Sequence, residues 1–219
     1  MRPERHRFVT LKPGWRDHVR PIPACSAEEH TWKRLCEWID AGGCLVVASA
    51  QPDDPPSSLR LGYATPDKQR IGLWVDETAV AALLPEVTLD QARVVAPASW
   101  SATIDAVLAV ADRFNLAVTV FGSLAWQMQA GETYLHPQSD LDLVLRSTPA
   151  SRQDLKWIDA LADVLASHDQ PRIDGEVLLP DGCAVPIREL MSGADELLEK
   201  RHDGVRLVTR ASVVARLGA

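Results

Sequence analysis

Two short stretches hold the residue types best suited to chemistry: Val120-Phe121-Gly122-Ser123-Leu124-Ala125-Trp126-Gln127 and Ser139-Asp140-Leu141-Asp142-Leu143-Val144-Leu145. The second alternates as a strand does, so Leu141, Leu143 and Leu145 share the core face while Asp140 and Asp142 share the other. Two carboxylates one pleat apart repel each other, and the pair needs water, a cation or a proton to coexist. A hard divalent ion answers that need, because Mg²⁺ takes one or two carboxylates together with substrate phosphate oxygens. Two such ions about 3.5–4 Å apart can clamp the attacking and leaving oxygens of an in-line displacement at phosphorus. In the first stretch, Gly-Ser at a strand end opens a helix, so backbone N–H groups there can bind an anion. Gly122 lets the backbone approach closely, and the Ser123 hydroxyl can donate another hydrogen bond. Each feature has an ordinary reading when it stands alone: Asp-x-Asp as a solvated strand face, Gly-Ser as a turn. The information lies in their combination.

The elements around these stretches follow from periodicity. Ile104, Val107, Leu108, Ala111 and Phe114 line one face of a helix over Ser101–Phe114. Leu116–Phe121 is a β-branched run and reads as a buried strand, with a helix beginning over Leu124–Gln129 and a loop over Ala130–Gln138. Asp140–Leu145 is the next strand; Leu155, Ile158, Leu161 and Leu165 then mark a helix. Arg172–Leu179 and Cys183–Ile187 form a hairpin around Pro180-Asp181-Gly182, and Val205–Thr209 is strand-like.

The first half has a different character. Arg7–Lys12 and Leu45–Ala48 read as strands, and so do Leu59–Ala64 and Arg70–Val75, joined by the turn Thr65–Gln69. Trp32, Leu35, Cys36 and Ile39 give helical spacing over Ala27–Ala41, with Ser26 and Glu29 as a capping box and Gly42-Gly43 as the stop. Trp32, Trp38 and Trp157 read as core. Gln51–Ser58 holds three prolines and two aspartates and is a loop. A short helix is expected around Thr78–Leu84, ended by Pro85. The fold class is therefore α+β (mixed α/β), with a smaller α+β domain over 1–86 and a mixed sheet covered by helices over 87–219.

Composition narrows the function classes. Of 219 residues, 46% are hydrophobic and 24% charged, as in an ordinary globular protein. No run approaches the roughly 20 apolar residues of a membrane span, and no apolar signal core follows the polar start, so a cytoplasmic location without membrane partners is expected. The net charge of −7 argues against a duplex-binding domain, although a local pocket of Lys and Arg can still take an anionic substrate. Cys25, Cys36, Cys44 and Cys183 form no CxxC pair and read as free thiols.

The combination of strand, Gly-Ser, helix, loop and Asp-x-Asp strand resembles the nucleotidyltransferase superfamily typified by DNA polymerase β, over about residues 101–190. The interval from Ser123 to Asp140 is longer than that superfamily usually shows, and Ala130–Gln138 is the insertion. The fuller string narrows the resemblance. Phe121–Gln127, Gly131, Tyr134-Leu135 and Ser139–Leu143, followed by Arg172-Ile173-Asp174-Gly175-Glu176, Ala184-Val185 and Arg188-Glu189-Leu190, are similar to the phosphoribosyl-dephospho-CoA transferases of malonate decarboxylase systems. These are also called malonate decarboxylase holo-[acyl-carrier-protein] synthases. The opening Arg5–Leu11 fits more loosely.

The resemblance implies transfer of phosphoribosyl-dephospho-CoA from 2′-(5″-triphosphoribosyl)-3′-dephospho-CoA to a serine of the acyl-carrier subunit, with release of pyrophosphate. It implies Asp140 and Asp142 as catalytic metal ligands for Mg²⁺, or for Mn²⁺ in its place. A third carboxylate usually completes such a site from a neighbouring strand. Asp174 and Glu176 are the candidates, with Glu176 preferred, unless Asp174-Gly175 is merely a bulge. Gly122, Ser123, Asp174, Arg172 and Lys200 are expected to bind substrate, with Arg188 and Arg201 as further cations. Trp126, at helical spacing, reads as core rather than as a stacking platform. The first domain is expected to recognise substrate or carrier. The competing readings are a nucleotidyltransferase using an ordinary nucleoside triphosphate and a non-catalytic nucleotide-binding domain.

Overall fold

A computed structural model describes residues 3–23, 28–201 and 204–219. The chain forms two compact units: the described residues up to Glu86 together with Gln129–Tyr134, and Val87–Met128 with the described residues from Leu135 onward.

The first unit is built from β1 (Phe8–Leu11), β2 (Val19–Pro21), α1 (Glu29–Asp40), β3 (Leu45–Val47), β4 (Ser58–Ala64), β5 (Arg70–Asp76) and β6 (Val80–Leu83). Its six strands form one antiparallel sheet in the order β2-β5-β4-β3-β1-β6. Strict alternation places Leu59, Leu61 and Tyr63 with Ile71, Leu73 and Val75 on the buried face, and Leu61 faces Leu73 across the β4–β5 hairpin. On the opposite face Arg60 and Trp74 are cross-strand partners, and both donate to Asp54 of the proline-rich loop, at 2.6 Å and 2.8 Å. That shared carboxylate fixes a segment that has no ladder of its own. Helix α1 buries Thr31, Leu35 and Ile39, whereas Trp32 and Trp38 are only half-buried. Ser26 lies outside the described residues, and the first helical residue is Glu29, after an extended Glu28.

The short helix expected near Thr78–Leu84 is not formed. A single 3-10 turn at Glu77–Ala79 leads into β6, which pairs antiparallel with β1. The Ala- and Leu-rich sequence favours a helix locally, but the unpaired edge of β1 offers a ladder, and tertiary pairing overrides propensity.

The second unit contains α2 (Leu89–Ala92), α3 (Ser101–Phe114), β7 (Ala117–Val120), α4 (Gly122–Ala130), β8 (Leu141–Arg146), α5 (Trp157–Ser167), β9 (Ile173–Leu178), β10 (Ala184–Pro186), α6 (Ile187–Met191), β11 (Glu196–Arg201), β12 (Gly204–Thr209) and α7 (Arg210–Leu217). The sheet order is β12-β11-β10-β9-β8-β7, with β8 and β9 parallel and the other pairs antiparallel. Helices α3 and α5 pack together, burying Ile104, Val107, Phe114, Trp157, Ile158 and Leu161. Trp126 is core. Among the described residues no helix is long and apolar enough to cross a membrane. Cys36, Cys44 and Cys183 are free thiols, and Cys25 lies outside the described residues.

Glu199 is 0% exposed, and it holds the last helix in place. Its carboxylate accepts from Arg206 Nε at 2.8 Å and from Arg216, which also reaches Asp181 in the β9–β10 turn. Burial alone would push the Glu199 carboxyl up, but hydrogen bonds from Arg216 and Arg206 outweigh it and hold it below its ordinary value. A depressed carboxyl stabilises the fold above its unfolded pKa and loses that contribution as pH falls through its folded value. Glu199→Gln should therefore cost about 3 kcal/mol at pH 7. The deficit should shrink below pH about 4.3, where the wild-type carboxyl begins to protonate on unfolding. Urea unfolding of both proteins from pH 7 down to pH about 3 measures it.

Candidate active site

The Gly-Ser stretch lies where β7 passes into α4. Phe121 N donates to Asp142 O at 3.1 Å, so the end of β7 is tied to the start of β8. Gly122 is the first residue of α4 and has φ 63°, a left-handed conformation. A Cβ built there would overlap Asp142 Oδ2. Two independent constraints thus require glycine, and the closer one is set by the aspartate. Ser123 is half-buried beside it.

Asp140 precedes β8 and follows a small locked turn, in which Ser139 N donates to His136 O and His136 N donates to Ser139 Oγ, both at 2.9 Å. Leu141, Leu143 and Leu145 face the core, as their alternation requires. The parallel register then sets Asp142 directly opposite Asp174, and Val144 opposite Glu176. This pairing needs Gly175 between them: its φ is 128°, and a Cβ there would overlap the carbonyl oxygen of Leu143. Asp174-Gly175 is therefore part of a continuous strand and not a bulge.

Register separates the two candidates for the third carboxylate. Asp174 is beside Asp142, with its side chain 39% exposed. Glu176 is one pleat further on, about 6–7 Å along the strand. Its side chain is 5% exposed, and its Oε1 takes Lys200 Nζ at 2.7 Å. Asp174 is thus the strand neighbour of Asp142, whereas Glu176 is paired with a lysine inside the sheet. Lys200, expected at the substrate, is the other half of that ion pair.

Three carboxylates therefore share one edge of the site: Asp140, Asp142 and Asp174. Their repulsion is eased by Arg172, whose guanidinium lies 3.7 Å from Asp140 Oδ2 and 4.0 Å from Asp174 Oδ2. Asp174 Oδ1 accepts from Gly175 N at 2.8 Å. Among the described residues no three His, Cys, Asp or Glu side chains are gathered as a formed metal centre. The donor chemistry nonetheless fits a hard divalent ion: carboxylates of Asp142 on β8, Asp174 on β9 and Asp140 just before β8, beside the backbone at Gly122. Arg188 donates to Ile173 O at 3.0 Å and buttresses the start of β9, and Arg201 lies 3.5 Å from Glu199.

Sequence reasoning did not single out Gln127. Its amide donates to Val95 O at 2.5 Å and accepts from Leu135 N at 3.1 Å, joining α4 to the segments on either side. A polar residue in the middle of a helix is a weak sequence signal, and only the tertiary structure shows what it holds.

A mixed sheet, a Gly-Ser at the head of a helix, and Asp-x-Asp beside a third carboxylate on the next strand form a nucleotidyltransferase-like α+β arrangement. Comparison with known proteins narrows the class. The family signature described as "Phosphoribosyl-dephospho-CoA transferase MdcG C-terminal domain" matches residues 86–211, and the corresponding N-terminal domain signature matches residues 4–85. A phosphoribosyl-dephospho-CoA transferase of Xanthomonas campestris pv. campestris (strain 8004) is 36% identical over 82% of this chain and 85% of its own. One from Bradyrhizobium diazoefficiens is 31% identical over 97% of this chain and 93% of its own, and one from Pseudomonas aeruginosa is 30% identical over 80% and 81%. No solved structure matches. The chain belongs to the phosphoribosyl-dephospho-CoA transferase family.

Gly122→Ala tests the cradle. The added methyl meets Asp142 Oδ2 in a backbone conformation that alanine disfavours. Turnover should fall roughly 100-fold, the scale expected when reacting groups shift by about an ångström, while the far-UV circular dichroism remains that of the wild type.

Proposed function

We propose that this protein transfers the phosphoribosyl-dephospho-CoA unit from 2′-(5″-triphosphoribosyl)-3′-dephospho-CoA to a serine of the apo acyl-carrier subunit of malonate decarboxylase, releasing pyrophosphate. The observation that carries the reading is the juxtaposition of Asp140, Asp142 and Asp174 beside Gly122, in a chain matched in both halves by the family's signatures.

In this reading the serine oxygen forms a bond to the α-phosphorus, the bond from that phosphorus to the β-phosphate oxygen breaks, and pyrophosphate departs with the electron pair. Catalysis consists mainly of positioning and charge stabilisation. Asp140, Asp142 and Asp174 would hold Mg²⁺ or Mn²⁺, which would supply positive charge for the phosphate oxygens. The backbone at Gly122 and the Ser123 hydroxyl orient the triphosphate. Arg172, exposed beside Asp140 and Asp174, supplies positive charge for the departing pyrophosphate. The serine proton passes to solvent water, and Asp174, whose Oδ1 accepts from the Gly175 N–H, would keep Oδ2 for the ion. Lys200 keeps Glu176 neutralised within the sheet and leaves the phosphates to Arg172.

Incubation with the triphosphoribosyl precursor, Mg²⁺ and the apo carrier, followed by intact mass spectrometry of the carrier, tests the proposal. The carrier should gain the mass of one phosphoribosyl-dephospho-CoA unit. Asp140→Asn should slow the gain roughly 10²–10³-fold, the range seen when one preorganised charge-stabilising group is lost. A folded enzyme and competent carrier that give no adduct, together with pyrophosphate release from ATP and another acceptor, would replace this substrate with an ordinary nucleotide.

A further inference from the structure

The register of the second unit's sheet decides which exposed residues share a face with the carboxylates. Directly paired residues point to the same side of a sheet. Asp142 pairs with Asp174 on β8 and β9, and Leu178 of β9 pairs with Ala184 of β10. Ala184 pairs with Lys200 of β11, Lys200 with Val205 of β12, and Leu198 with Leu207. Alternation along each strand therefore puts Leu198, Val205 and Leu207 on the side that carries Asp142 and Asp174. The Lys200–Glu176 ion pair, which passes over β10, requires the same assignment. The other side of β11 is covered: Leu197 and Glu199 are fully buried there, and α7 reaches Glu199 through Arg216.

Val205 and Leu207 are each 65% exposed, and Leu198 beside them is half-buried. They lie at the end of the sheet, since β12 is its last strand. A solvated face of an antiparallel sheet is ordinarily polar, so two adjacent large apolar side chains mark a surface that a partner covers. Among the described residues the surface charges around this pair have one sign. Glu176 and Glu199 are buried, whereas Lys200, Arg201 and Arg206, which neutralise them, remain partly exposed. The exposed acids Asp195 and Glu196 stand at the opposite end of the hairpin. An acidic partner is therefore favoured over a basic one. Three strand spacings, about 14 Å, separate β12 from β9. A folded domain of about 100 residues, with a radius of gyration of about 13 Å, spans that distance while presenting a side chain at Asp142 and Asp174.

We propose that Leu198, Val205 and Leu207, with the cations at this end of the hairpin, dock the acyl-carrier acceptor through an apolar contact flanked by its acidic side chains. The inference rests on the transfer reaction proposed above, which requires a protein serine to meet the face that carries Asp142 and Asp174. It gives the second unit a part in carrier recognition.

Val205→Thr/Leu207→Thr keeps the strand propensity and removes only exposed apolar surface. Its thermal midpoint should stay within about 4 °C of the wild type. Its KM for the apo carrier should rise roughly ten-fold, with kcat and the KM for the triphosphoribosyl precursor unchanged. Titration calorimetry of the apo carrier into each protein, without nucleotide, should show the same loss of affinity. The wild-type affinity should weaken as salt is raised. No binding by the wild type, equal affinity for the two proteins, or affinity indifferent to salt would overturn the proposal. So would a rise in the KM of the precursor alone, which would give this face to the small substrate. A wild-type dimer in sedimentation that the variant dissociates would give it to a second copy and overturn the proposal as well. If the wild-type protein loads no carrier, the function proposed above fails, and the calorimetry still decides whether this face binds the carrier.

Discussion

Aspartates on adjacent parallel strands repel each other, and here the register of β8 against β9 forces Asp142 and Asp174 to be neighbours. Much of the local sequence is explained by that pairing. Gly175 has no side chain because the Leu143 carbonyl of the facing strand occupies the space a Cβ would need. Gly122 has none because Asp142 presses against the head of α4. Arg172, one pleat before Asp174, lies between the outer carboxylates Asp140 and Asp174 and offsets part of their charge.

The remaining charges of this sheet follow a different logic. Glu176 with Lys200, and Glu199 with Arg206 and Arg216, are acids taken out of water and matched to bases on other strands of the sheet and on the last helix. Their pairing fixes β9, β11 and α7 relative to one another. Glu176, although one pleat from Asp174, is buried in the sheet with Lys200 as its partner.

The sequence was readable where one periodicity dominated. Helix α3 was legible over its full span from its apolar face, and the β4–β5 hairpin from alternation around Thr65–Gln69. Asp142 could be placed on a strand for the same reason, and Asp140 falls just before that strand. Strand β11 was missed because its inward positions are Leu197 and Glu199, and a fully buried glutamate interrupts the apolar alternation. The strand β6 was misread as helix because its pairing with β1 is a long-range contact that local propensity does not contain. Which of Asp174 and Glu176 stands opposite Asp142 was beyond sequence reasoning on principle: both lie on the same face of β9, and the register against β8 sets the pairing.

That register is also where the account is most exposed to test. Mn²⁺ binding should be measured by electron paramagnetic resonance for the wild type, Asp174→Asn and Glu176→Gln, with folding verified for each. If Asp140, Asp142 and Asp174 form the reactive edge, Asp174→Asn should weaken Mn²⁺ binding by about ten-fold or more, while Glu176→Gln should lose stability but bind the ion nearly as well as the wild type. The reverse pattern, with Glu176→Gln folded and unable to bind and Asp174→Asn unaffected, would contradict the central claim.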